Sequence, residues 1–240
     1  MRILIANDDG MHASQLIPLI KWARKLGDVT VAVPKYEQSA KSHSIEIHKS
    51  FEAKEVELES GVTVWAVDSS PADCVRFAVI GLKMEFDLVI SGINRGLNIG
   101  SDIMYSGTVA AVSEAVNLGI PALALSTPPK YYDQAVKHLD EVWAFLQQHK
   151  LYDLCDAYNV NIPADPKGFK ITHQGGPYFS DDFAPEVDNL YRPCGKPVWV
   201  DQNDDTYDTD ATQHGYISVM PLTINRTNWA VYDKIKDLIG

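Results

Sequence analysis

The chain has 240 residues, 45% of them hydrophobic and 22% charged, with a formal net charge of -11. This composition excludes a disordered chain and fits one globular domain with a full core. The charge excludes a broad basic face for nucleic acid polymers or an anionic membrane surface, so an anionic substrate has to be held locally, by a metal or by backbone amides.

The chain opens on Ile3, Leu4, Ile5 and Ala6, an uninterrupted apolar run with the look of a strand buried on both faces, as in a parallel sheet covered by helices. Asn7, Asp8, Asp9 and Gly10 follow at its carboxyl end, where α/β sheets bind ligands. Ser14 is placed to cap a helix running to about Leu26, stopped by Gly27-Asp28, and Val29 to Val33 forms a second strand closed by Pro34. A polar loop from Lys35 to Ser44 carries Gln38, Ser39 and His43.

Between residues 45 and 67 the pattern alternates, which predicts a β-hairpin whose second arm joins the main sheet. Ser70-Pro71 caps and opens a helix through Leu82. Asp87 to Ser91 is another short buried strand, followed by a long glycine-rich loop that holds Asn94, Asn98 and Ser106-Gly107-Thr108. The pattern then predicts a helix from Val109 to Leu118, a strand from Ala122 to Ser126 and a long helix from Tyr131 to Gln148. Beyond these come strand ends at 160–163 and 169–173, an irregular stretch at 175–213, a strand from Tyr216 to Met220 and an amphipathic helix from Trp229 to Ile239. The acidic group Asp201, Asp204, Asp205, Asp208 and Asp210 lacks calcium-loop spacing and reads as a solvated loop.

Two adjacent carboxylates repel unless a cation lies between them, and Mg²⁺ needs only one or two carboxylates plus a neutral oxygen donor. If the strand ending at Ser91 lies about 4.8 Å from the first, Asn94 reaches the same ion as Asp8 and Asp9, with Ser39 approaching from the other side. Helix capping is the lesser alternative for a carboxylate pair after a strand, and a turn accounts as well for Asn94 alone. Ser106-Gly107-Thr108 before a helix is a phosphate cradle by composition, or an N-cap with a glycine turn. The glycines at 92, 96 and 100 do not match the dinucleotide fingerprint, which argues against a dinucleotide-dependent oxidoreductase. His43 lies near Ser39, whereas the other six histidines show no ligand spacing. Cys74 falls on a helical core position, and Cys74, Cys155 and Cys194 match neither a disulfide framework nor a zinc site. No apolar run approaches the ~20 residues of a membrane span, and Asp8 and Asp9 stand where a signal peptide needs apolar residues, so a cytoplasmic location is expected.

With these residues assembled, the chain resembles the survival protein SurE family of 5′-nucleotidases. The resemblance lies in Asn7-Asp8-Asp9-Gly10, Gln38-Ser39 with His43-Ser44-Ile45, and Ser70-Pro71-Ala72-Asp73-Cys74-Val75. It continues through Ser91 to Gly96 with Asn98 and Gly100, Tyr105 to Val109, Asn159-Val160-Asn161-Ile162-Pro163, and Thr209-Asp210 leading to Gly215–Val219. It implies a Rossmann-like, mostly parallel α/β sheet flanked by helices, with a β-hairpin arm. A core at 1–163 and a less regular C-terminal region at 164–240 engaged in homo-dimer or homo-tetramer assembly are expected. It also implies a phosphatase acting on nucleoside 5′-monophosphates with one divalent cation per subunit, Mg²⁺ or Mn²⁺, held by Asp8, Asp9, Ser39 and Asn94. The phosphate then contacts Ser106, Gly107, Thr108 and Asn98, with Asp8, Asn98 and Thr108 as the catalytic set. 3′-Nucleotides and polyphosphate are further candidate substrates, and a non-catalytic nucleotide- or phosphate-sensing module is the alternative. Ala40 and Glu46 depart from the glycine and threonine usual in similar members, which bears on the path of the Ser39 loop.

Overall fold

The computed structural model describes residues 1–238. The chain begins with strand β1 (Arg2–Ala6), helix α1 (Leu16–Ala23), strand β2 (Asp28–Pro34), and the pair β3 (Ala53–Val56) and β4 (Thr63–Val67). Helix α2 (Pro71–Arg76) leads through a looser turn of helix into β5 (Leu88–Arg95), then α3 (Gly107–Asn117), β6 (Ala122–Thr127), α4 (Tyr132–Lys137), α5 (Leu139–Gln148) and β7 (Ala157–Asn161). Strand β8 (Phe169–Ile171) precedes a small hairpin, β9 (Phe183–Pro185) and β10 (Tyr191–Pro193), and α6 (Asp208–Gln213), β11 (Ile217–Pro221) and α7 (Trp229–Ile235) close the chain.

Nine strands form one sheet in the order β3-β4-β2-β1-β5-β6-β7-β11-β8, parallel except where β3 meets β4 and β11 meets β7. β4 lies parallel to β2, so the second hairpin arm does join the main sheet. β1 alternates cleanly between the two covering layers. Ile3 and Ile5 pack with Leu16, Leu19 and Ile20 of α1 and Leu139, Val142 and Leu146 of α5. Leu4 and Ala6 pack on the other face with Cys74 and Val75 of α2 and Ala111, Val112 and Ala115 of α3. Burial on both faces is why the run carries no polar residue until Asn7.

Several local expectations are corrected. Ser14 does not cap α1; its hydroxyl donates to the neighbouring Gln15 side chain. Ser70 does cap α2, accepting from the Asp73 N–H at 3.1 Å, but the regular helix ends at Arg76. The long helix predicted from Tyr131 breaks at His138 into α4 and α5. α7 ends at Ile235, and residue 239 of the predicted helix lies outside the described residues. All of α7 is exposed, as are Phe183, Val187, Leu190 and Tyr191 on and beside the β9–β10 hairpin. Asp208 and Asp210 are fully buried rather than solvated. Asp208 accepts the N–H groups of Gly100 (2.9 Å) and Gly175 (2.7 Å), and Asp210 accepts Trp199 Nε1 and the N–H of Gln202. No helix of the described residues is long and apolar enough to cross a membrane.

Candidate active site

β1 pairs with β2 on one side and β5 on the other, so the carboxyl ends of these three strands converge, as sheet order requires for a shared site. Asn7 folds the chain back at the end of β1: its Oδ1 accepts the Gly10 N–H at 3.1 Å and its Nδ2 donates to the Gly10 carbonyl at 3.0 Å. That turn presents Asp8 and Asp9 to the crevice in opposite surroundings.

Asp8 is 5% exposed and lies under the start of α3. Thr108 Oγ1 donates to its Oδ1 at 2.6 Å, and the Thr108 backbone N–H favours the same carboxylate. Gly107 is the neighbour in contact: a Cβ there would come within 2.8 Å of Asp8 Cβ, so only glycine lets helix and carboxylate approach this closely. Burial pushes the Asp8 carboxyl above its ordinary value, opposed in part by the Thr108 hydrogen bonds. Ser106 caps α3, accepting the Val109 N–H at 3.1 Å. Ser106-Gly107-Thr108 is therefore a helix start, where the first N–H groups have no carbonyl partner within the helix.

Asp9 faces the rim. Its Oδ2 accepts Gln15 Nε2 and the Arg95 N–H at 3.0 Å, and the Arg95 guanidinium stands 3.9 Å from Oδ1. Burial, then the charge of Asp8, raises its carboxyl to about 6. Asn94 donates Nδ2 to the Gly96 carbonyl at 2.9 Å, which turns its Oδ1 away from that bond. Ser39 is exposed and donates to Glu37 Oε1 at 2.7 Å, and Glu37 also pairs with Arg95 at 3.1 Å. The Gln38 N–H donates to the Asp8 carbonyl at 2.7 Å, tying the Ser39 loop to the turn after β1. Ala40 and Ser42 adopt φ of 57° and 53°, so this loop follows a left-handed path without glycine.

These residues fit a hard divalent cation. Two desolvated carboxylates with raised protonation share one crevice, and among the described residues the cation against them is a half-exposed arginine. The Tyr132 hydroxyl, held at about 12 by burial and the charge of Asp9, is buried with no partner among the described residues. No set of three or more His, Cys, Asp or Glu is arranged for a metal among the described residues, and Ser39 and Asn94 are the neutral oxygen donors that could complete such a set.

His43 is drawn away from Ser39. Its Nε2 lies 2.7 Å from Glu114 Oε2, and Glu114 is held on its other oxygen by Arg76 at 3.0 Å. Cys74 is fully buried, its thiol pushed well up by burial. Sequence reasoning missed Gln15, Glu37, Arg95 and Tyr132, whose place at the site comes from tertiary contacts and leaves no local pattern. Asn98 is 7% exposed and makes its contacts with Ser126 and β7.

The sequence model of the family described as Survival protein SurE matches residues 3–181. The chain is 34% identical to 5′-nucleotidase SurE of Pelotomaculum thermopropionicum, covering 100% of this chain and 95% of that protein. It is 35% identical to 5′-nucleotidase SurE of Petrotoga mobilis, covering 98% of each. The fold is similar to the crystal structure of the SurE protein from Aquifex aeolicus, with a TM-score of 0.80, 29% identity and full coverage of both chains.

Proposed function

The chain belongs to the SurE survival-protein family, and on that premise we propose that it is a divalent-cation-dependent 5′-nucleotidase, hydrolysing nucleoside 5′-monophosphates to nucleoside and inorganic phosphate. The observation that carries this reading is the contact of Asp8 with Gly107 and Thr108, which puts a carboxylate of raised basicity against a helix start suited to phosphate. A dinucleotide or redox site has no use for that juxtaposition.

Asp8, Asp9, Asn94 and Ser39 hold the ion, Mg²⁺ or Mn²⁺. When bound, such a cation polarises a phosphoryl oxygen and makes a water more acidic. The Gly107 N–H and the Ser106 cap bind phosphoryl oxygens at the positive end of α3. Thr108 has two donors that serve either Asp8 or phosphate, and Asn98 adds an Nδ2 hydrogen to the developing charge. Asp8 orients the attacking water and takes its proton. The P–O bond to the nucleoside breaks as the water oxygen bonds to phosphorus in line, and the departing oxygen is protonated by solvent. The cleft of about 450 Å³ beside Ser106, walled by His43, Met104, Val109 and Arg226, receives the nucleoside.

The exposed α7, with Trp229, Val231, Tyr232 and Ile235, and the apolar β9–β10 hairpin supply surface for a dimer or tetramer in the cytoplasm. Release of inorganic phosphate from the monophosphates with Mg²⁺ or Mn²⁺, lost with a chelator and restored by metal, is the expected result. Parallel arms with 3′-nucleotides and polyphosphate define the range. Absence of release with any metal would overturn the reading in favour of a nucleotide- or phosphate-sensing module.

A further inference from the structure

The run Asn159-Val160-Asn161 has no part in the chemistry above, yet it buries two side-chain amides completely. Lying two apart on β7, both project from the same face of the sheet. Buried amides destabilise a core unless their hydrogen bonds are made. Here the bonds that are made converge on Asn98, which lies in the loop beyond β5, while Asn159 Oδ1 has no partner among the described residues. Asn159 Nδ2 donates to the Asn98 carbonyl at 2.7 Å, and Asn161 Nδ2 donates to the same oxygen at 2.9 Å. Asn161 Oδ1 accepts the Asn98 N–H at 2.8 Å. One carboxamide thus engages both backbone groups of a single residue, as a partner residue does in an antiparallel ladder. On β6, Ser126 is aligned with Asn161, and its Oγ accepts Asn98 Nδ2 at 2.8 Å.

We infer that Asn159, Asn161 and Ser126 are positioning residues for hydrolysis: the two asparagines fix the backbone of Asn98, and Ser126 fixes its carboxamide. One Nδ2 hydrogen is committed to Ser126, and the geometry of that bond sets the direction of the other, the one assigned to phosphate. The inference rests on the phosphatase reading for the task Asn98 performs. A loop residue without such a frame rotates freely, and a misplacement of about 1 Å at a reacting group costs on the order of 10²-fold in rate.

The test combines three variants. Ser126→Ala removes the hold on the carboxamide alone and is expected to lower kcat about tenfold with KM within about twofold. Asn161→Asp keeps the volume and the acceptor for the Asn98 N–H but loses the donor to its carbonyl, and is expected to lower kcat about 10²-fold. In an Asn98→Ala background, adding Ser126→Ala should cost nothing further, because a residue acting only through Asn98 has nothing left to position. An equal fold loss in both backgrounds, or a KM rise with kcat retained, overturns the inference. Should Asn161→Asp not fold, the Ser126 cycle decides alone. Orthophosphate affinity with Mg²⁺, measured by calorimetry on the same proteins, separates the two ideas. If the wild type cleaves no nucleotide yet binds orthophosphate, the phosphatase reading fails. The clamp then stands only if Ser126→Ala weakens that affinity in the wild-type background and not beside Asn98→Ala. A wild type that neither cleaves nor binds phosphate overturns both.

Discussion

The two sides of the crevice are built differently. On the side of the α3 N-terminus, Asp8, Thr108, Ser106 and Asn98 are all less than a tenth exposed, and each is held by bonds from other elements or by a helix cap. On the rim, Ser39, Glu37 and Arg95 are exposed and pair with one another. Preorganised donors act where charge develops, because they cost no reorganisation at the moment of reaction. The rim is built the other way: Ser39 bonds to an exposed carboxylate, and Asp9 bonds to the Gln15 side chain and a loop amide. Under the function proposed above, a rigid cradle beside an adaptable rim would reconcile tight geometry with metal entry.

The largest expected effect breaks the rigid side. Asp8→Asn keeps the shape against Gly107 and Thr108 but removes the base, and should lower kcat by roughly 10³-fold; near-native turnover with near-native metal affinity would show that Asp8 is not the group that activates water. The second prediction concerns the rim. The Asp9 carboxyl lies at about 6 when folded, against 3.8 for the free group. The folded state therefore holds a proton that the unfolded state has released, and the stability this contributes, full below 3.8, is lost as pH rises through about 6. A divalent cation replaces that proton, so the rise in Tm on adding Mg²⁺ or Mn²⁺ should grow between pH 5 and pH 7.5, to about 5 °C at saturating metal. Thermal melts at the two pH values check this, and an equal rise at both would contradict it. The smallest effect sharpens the comparison at Ala40, whose φ of 57° is strained for any residue with a Cβ. Ala40→Gly should stabilise by up to about 1 kcal/mol, or roughly 2 °C in Tm, while leaving kcat unchanged.

Much of the frame was legible because its signals are local. The alternation hidden in Ile3 to Ala6, the Ser70-Pro71 cap and the glycine-rich loop after Ser91 each write their structure into adjacent residues. The convergence of the first, second and fifth strands followed from the ordinary topology of parallel sheets. What was not legible depends on partners far along the chain. Charge spacing alone could not show that Asp208 meets the amides of Gly100 and Gly175, so a buried bracket read as a solvated loop. The bond from the Thr108 hydroxyl to Asp8 was equally hidden, because nothing in the helix start shows that the crevice brings an acceptor from the first strand to it. Asn159 and Asn161 were visible as a motif, but a side chain that binds a distant backbone leaves no mark on that backbone's sequence.

The bond between Thr108 and Asp8 closes a loop of 100 residues, those from β7 to Asn98 close more than 60, and Gly100 to Asp208 spans 108. Contacts of such sequence separation form late, after loop-closure entropy has been overcome. During synthesis the carboxylate pair emerges with the first strand and the Asn7–Gly10 turn, long before Thr108. A nascent chain therefore carries the acidic turn before α3 and β7 exist to supply Thr108 and the hold on Asn98.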